Sequence, residues 1–219
     1  MDYILNLITR YPALECVKDD VKLAVDSLYE RVVRDEAKIL ICGNGGSAAD
    51  AGHIAGELNK GFLKKRAIVG TGSNARQTED CLRMQKVPPE IRDALQSRLQ
   101  YGIPALSLCE MSAALSATIN DNGADFMYAQ LVQSLGHEGD FFIGISTSGN
   151  AKNVLYAAWT AYSKNLTTIA LTGKDGGALA RMCDIAIKVP ETETYKIQEL
   201  HLPVYHAICA ELEERIFSR

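Results

Sequence analysis

The sequence predicts an α/β fold: a doubly wound, five-stranded parallel sheet flanked by helices, flavodoxin-like or Rossmann-like, built as one domain over residues 1–219. Three observations predict it. Five short apolar runs alternate with segments suited to helices, the pattern of parallel strands joined by helical crossovers. Glycine- and hydroxyl-rich stretches follow three of those runs directly, as loops at the carboxyl ends of such strands do. Finally, 219 residues that are 47% apolar can bury one substantial core, and no Gly-, Ser- or Pro-rich linker divides them.

The chain opens with a helical segment over residues 1–36. Apolar residues recur at helical spacing near 2–10 and over 18–35, where Val21, Leu23, Ala24, Leu28 and Val32 carry the pattern. KILIC at 38–42 is the first strand, followed by the loop GNGGS and a helix of small residues from about Ala48. PALSLC (104–109), DFFIGIS (140–146), TTIALTG (167–173) and DIAIKVP (184–190) are the other four strands. Residues 194–217 predict a long closing helix, bent at Pro203. Residues 64–103 break this rhythm and read as an insertion: KKR, then GTGSN, then a polar helix at PPEIRDALQSRL. Its Lys64, Lys65 and Arg66 read as a solvated charged run, with a phosphate clamp as the alternative.

A formal net charge of −4 supplies no overall positive field for nucleic acid or an anionic membrane, so any phosphate must be bound locally. No stretch is long and apolar enough to span a membrane, and the first residues do not read as a signal peptide. The six cysteines lack zinc-site spacing and read as thiols in a reducing compartment, which makes the cytoplasm the expectation.

Two loops draw attention as anion sites. In Gly43-Asn44-Gly45-Gly46-Ser47 the glycines let backbone approach a ligand, and Ser47 can cap the next helix or donate to a bound oxygen. In Ser146-Thr147-Ser148-Gly149-Asn150, three hydroxyls and free backbone N–H groups face one volume at a helix start. A third loop, Thr172 to Gly177, has similar composition. Neither of the first two carries a Walker or dinucleotide-binding pattern, which disfavours nucleotides.

His53 and Glu57, four residues apart, share a helix face near the ligand end. Gln198 and His206, eight apart on the closing helix, lie about 80° around from each other. A carboxylate with a histidine suits an aldose–ketose conversion, in which one group takes a carbon-bound proton and another serves the oxygens. An isolated HxxxE is equally a solvated pair or a core histidine. The four residues together could also bind a divalent metal such as zinc, which would polarise a sugar carbonyl. His137 and His201 read as surface or structural.

The motifs GNGGSAADAGHIAGEL (43–58), ISTSGNAKNV (145–154), LTGKDGG (171–177) and VPETETYKIQELHLPVYH (189–206), in that order, resemble the phosphoheptose isomerases of the sugar isomerase (SIS) domain family. The resemblance implies Glu57 and His206 as the acid and base pair. It implies Asn44, Gly45, Ser47, Ser146, Thr147 and Ser148 around the phosphate and sugar oxygens, and Thr194, Gln198 and Asp121 as substrate contacts. Zinc, where bound, would use His53, Glu57, Gln198 and His206. It further implies a homotetramer with sites between subunits, acting on sedoheptulose 7-phosphate and a heptose 7-phosphate. Two departures touch the phosphate: Ala151 stands where a serine is common, and Asn59-Lys60-Gly61 replaces a stretch that often carries arginine. The competing readings are a noncatalytic sugar-phosphate sensor and an interaction protein like the one on this fold that binds a replication initiator. Glu57 and His206 favour the enzyme.

Overall fold

The computed structural model describes residues 1–35, 37–66 and 85–218. The GTGSN stretch at 70–74 and Cys81, read above as part of the insertion and as a thiol, lie outside the described residues.

The entry is helical, as the periodicity predicts. α1 (Tyr3–Arg10) begins at Asp2, whose carboxylate accepts the Leu5 N–H at 2.8 Å and caps the first turn. A 3-10 turn (Pro12–Val17) leads into α2 (Lys18–Asp35). Then come β1 (Ile39–Cys42), α3 (Gly46–Asn59), α4 (Pro89–Arg98), β2 (Ala105–Ser107), α5 (Ser112–Asn122), α6 (Met127–Leu135), β3 (Phe141–Ser146), α7 (Lys152–Ser163), β4 (Thr167–Thr172), α8 (Gly177–Met182), β5 (Ile185–Lys188) and α9 (Thr194–Phe217). All five predicted strands form. The helix at PPEIRDALQSRL forms as α4 and buries none of its side chains, in keeping with its polar sequence.

The strands pair parallel throughout in the order β2-β1-β3-β4-β5. Alternation along each strand sorts two cores. Ile39, Ile41, Phe141, Ile143, Ile145, Ile169, Leu171, Ile185 and Ile187 point to one face, against α1, α2, α3 and α9. Leu40, Cys42, Phe142 and Ala170 point to the other, against α6, α7 and α8. Both faces are covered, which is why the strands read as near-continuous apolar runs. α9 runs through Pro203 and carries ten buried residues, among them Ile197, Val204, Tyr205 and Leu212. The strand order turns back between β1 and β3, and at such a point the following loops separate to leave a crevice.

The run Lys64-Lys65-Arg66 does not behave as one solvated patch. Lys65 is exposed and Lys64 pairs with Glu214 at 2.7 Å, but Arg66 is buried, and its Nε donates to Glu213 Oε1 at 2.8 Å. The expectation fails for Arg66 because its partner stands on a helix 147 residues further on.

Candidate active site

The first two glycine loops stand at the carboxyl ends of the adjacent strands β1 and β3. Gly43 closes tightly: a Cβ there would come within 2.7 Å of the Ser47 carbonyl, and the Gly43 carbonyl accepts the buried Tyr128 hydroxyl at 2.6 Å. Ser47 is buried at the first turn of α3. The two loops are tied together by a reciprocal amide pair, in which Asn44 and Asn153 each donate Nδ2 to the other's Oδ1 at 2.9 Å. Both α3 and α7 therefore begin on the same edge, where their free N–H groups and dipoles favour an anion.

The third loop buttresses the second. Gly173 N–H donates to the Thr147 carbonyl at 3.0 Å, Leu179 N–H to the Gly149 carbonyl at 2.9 Å, and Ala178 N–H to Asn150 Oδ1 at 3.1 Å. Gly149 sits at φ +65°, and a Cβ on it would meet the Gly176 carbonyl at 1.9 Å. Only glycine allows this approach. Ser146 is buried at the end of β3, while Ser148 is exposed and its Oγ accepts the Asn150 N–H at 3.2 Å.

Two turns into α3, His53 and Glu57 meet His206 of α9. His53 Nε2 lies 3.2 Å from Glu57 Oε1 and 3.4 Å from His206 Nε2. On the far side of the His53 ring, Tyr205 places its hydroxyl 3.0 Å from Nδ1 and donates to Asp50 Oδ1 at 3.2 Å. Burial raises the Asp50 carboxyl above its usual range, against the lowering effect of the Tyr205 hydrogen bond and of His53. Burial, then the neighbouring His53, lowers the His206 imidazole, opposed by Glu57. A groove of about 350 Å³ opens beside His206 between α1 and α9, with Arg10, Tyr11 and Phe62 along its walls.

The donor chemistry of this cluster fits zinc. Two imidazole nitrogens and a carboxylate oxygen are its usual ligands, and bonds of ~2.0–2.1 Å around a tetrahedral ion separate neighbouring ligand atoms by about 3.3–3.4 Å. The separations of 3.2 and 3.4 Å match that edge. Among the described residues no three His, Cys, Asp or Glu converge as a ready metal cluster; His53 Nε2 instead approaches Glu57 Oε1 and His206 Nε2 pairwise, along two ligand–ligand edges. Gln198, the fourth expected ligand, lies over the first loop, where a Cβ on Gly46 would come within 2.6 Å of its Nε2.

The end of α3 is pinned from inside. The Arg66 guanidinium donates to the carbonyls of Leu58 at 2.6 Å and Glu57 at 3.3 Å, and Glu213 accepts the N–H groups of Phe62, Leu63 and Lys64 at 2.8, 2.7 and 3.1 Å. Glu213 is two turns beyond His206 on α9, so this buried pair joins the helix of Glu57 to the helix of His206.

The structure thus brings His53, Glu57 and His206 together, and sets Gln198 against Gly46 at the first loop. Thr194 is the exposed first residue of α9. Asp121, near the exposed end of α5, accepts from Asn120 at 2.8 Å; among the described residues no hydrogen bond or ion pair joins it to the His53 group. Sequence reasoning missed Tyr205, Asp50, Asn153, Arg66 and Glu213. Asp50, three residues before His53 on α3, carried the best local signal.

The SIS domain family matches residues 107–211. The phosphoheptose isomerase of Aneurinibacillus thermoaerophilus is 39% identical over 186 residues, covering 85% of this chain and 77% of that protein. The solved phosphoheptose isomerase GmhA of Neisseria gonorrhoeae superposes with a TM-score of 0.72 at 30% identity, covering 96% of this chain and 93% of that one. That of Francisella tularensis gives 0.73 at 25% identity, over 97% and 95%.

Proposed function

Because the chain belongs to the phosphoheptose isomerase family, we propose that it interconverts sedoheptulose 7-phosphate and glycero-manno-heptose 7-phosphate through an enediol, with Glu57 and His206 as acid and base. The observation that carries this reading is the meeting of His206 with the His53–Glu57 pair, with His53 Nε2 at 3.4 and 3.2 Å from its two neighbours, on the helix that starts at the first glycine loop.

Moving the carbonyl from C2 to C1 takes a proton from C1, returns one to C2, and transfers a hydroxyl proton from O1 to O2. Glu57 exchanges the carbon-bound proton, and His206 serves the oxygens, since a neutral imidazole both accepts and donates. Asn44, Gly45, Ser47, Ser146, Thr147 and Ser148 hold the phosphate and sugar oxygens at the starts of α3 and α7, with Thr194, Gln198 and Asp121 as further substrate contacts. Zinc held by His53, Glu57, Gln198 and His206 would polarise the carbonyl and stabilise the enediolate.

The same proposal places the enzyme in the cytoplasm as a homotetramer with sites between subunits. Phe126, Tyr156, Trp159 and Tyr162 form ring contacts on one side of the protomer while more than a third exposed, which supports burial against another copy. Asp121, which makes no hydrogen bond or ion pair with the His53 group among the described residues, would reach a neighbour's site. The test is turnover of sedoheptulose 7-phosphate by chelated protein, with and without zinc restored, beside Glu57→Gln. Turnover abolished by the substitution supports the reading. Sugar-phosphate binding without turnover in the unsubstituted protein would replace the enzyme with a sensor.

A further inference from the structure

Tyr205 is almost fully buried, yet its hydroxyl reaches two polar groups, Asp50 Oδ1 at 3.2 Å and His53 Nδ1 at 3.0 Å. A phenol has one proton to give and lone pairs to receive. With that proton directed to Asp50, the contact with His53 must be made by a hydrogen on Nδ1. The His53 ring then presents a bare Nε2 toward Glu57 Oε1 and His206 Nε2. That bare nitrogen can accept a hydrogen from His206 Nε2, or, with the hydrogen of His206 on its other nitrogen, join Glu57 and His206 in offering lone pairs to a cation. The Tyr205 ring packs edge-on against His53, with centroids 5.4 Å apart, so the same side chain also sets the plane of the imidazole.

We propose that Tyr205, oriented by Asp50, is a positioning residue that fixes the tautomer and ring direction of His53 so that Nε2 is offered to a divalent metal. The inference rests on the zinc reading above and deepens it. Metal-bound histidines are typically held through their second nitrogen, and losing that partner costs 10- to 100-fold in affinity. Here the holding oxygen is a phenol, itself fixed by a half-buried carboxylate from the helix that carries His53. The alternative arrangement, with Tyr205 donating to Nδ1 and Nε2–H donating to Glu57, would make a plain hydrogen-bonded pair and leave Asp50 without its proton donor.

Two measurements on the full chain decide it. In metal-free protein labelled with nitrogen-15, long-range nitrogen–proton correlation reads the neutral His53 tautomer directly. Hydrogen on Nδ1 is expected, and hydrogen on Nε2 overturns the proposal. Zinc affinity is then measured by competition with a chromophoric chelator for the unsubstituted protein, Tyr205→Phe and Asp50→Asn. Tyr205→Phe keeps the ring and should bind zinc 10- to 100-fold more weakly. Asp50→Asn keeps an acceptor oxygen and should lose less. Tight zinc binding by the unsubstituted protein, equalled by Tyr205→Phe, refutes the role of Tyr205 alone. No zinc binding by the unsubstituted protein refutes the metal reading and this inference with it.

Discussion

Replacing Arg66 with methionine should destabilise this protein markedly, because it strands a buried carboxylate. The pair it forms with Glu213 is excluded from solvent, at 0% and 1% side-chain exposure. Breaking such a pair by removing one partner costs about 3–5 kcal/mol, because the other charge stays buried. Glu213 would keep its three backbone N–H donors from Phe62, Leu63 and Lys64, which places Arg66→Met near the lower end, about 3 kcal/mol. Glu213→Leu removes the acceptor for all three and leaves a buried guanidinium with no carboxylate, held by the Leu58 and Glu57 carbonyls and the Phe217 ring, so it should approach the upper end, about 5 kcal/mol. The double change Arg66→Met/Glu213→Leu removes both charges but still orphans the three N–H groups, and should fall between the singles. Urea unfolding followed by circular dichroism measures each, with a shared slope required for comparison. A loss below about 1 kcal/mol for Arg66→Met would refute the argument that this charge pair holds the end of α3.

Gly149→Ala forces an L side chain to φ +65° and against the Gly176 carbonyl, so it should destabilise by at least ~1–2 kcal/mol and raise KM for the sugar phosphate; unchanged steady-state kinetics would contradict the buttress. Asn153→Ala breaks both bonds to Asn44 and should cost about 1 kcal/mol in thermal unfolding, again with a higher KM. His201 is fully buried, and burial, opposed by the nearby Thr172 backbone, pushes its imidazole from 6.5 down to about 4. Across that window the unfolded chain binds the extra proton, so stability rises with pH between about 4 and 6.5 and is lost on acidification, by up to roughly 3 kcal/mol. Urea midpoints at pH 7 and pH 4.5 should show this difference, reduced in His201→Phe; an equal difference in both proteins would count against it.

The sheet was legible because each strand is buried on both faces and so writes itself as an uninterrupted apolar run, from ILIC in β1 to FFIGIS in β3. The His53–Glu57 pair was legible for a related reason: a four-residue spacing on a helix fixes a shared face before any tertiary contact is known. What the sequence concealed depends on distant partners. Arg66 in a KKR run gives no local sign of burial, since the carboxylate that neutralises it arrives on α9. Tyr205 reads as an ordinary core aromatic of the closing helix, and its function comes from a hydroxyl that meets α3 152 residues earlier in the chain. The third glycine loop resembled a ligand site in composition, whereas its glycines serve close backbone packing on the second.

The most direct test of the central claim is to run the reaction in deuterium oxide to equilibrium and read the heptose 7-phosphate C2 position by proton NMR. Proton transfer through an enediol by Glu57 predicts deuterium at C2 after many turnovers, and none with Glu57→Gln. Full interconversion with complete retention of protium at C2 in both the unsubstituted protein and Glu57→Gln would mean that the hydrogen moves without this carboxylate, and would contradict the role given to Glu57.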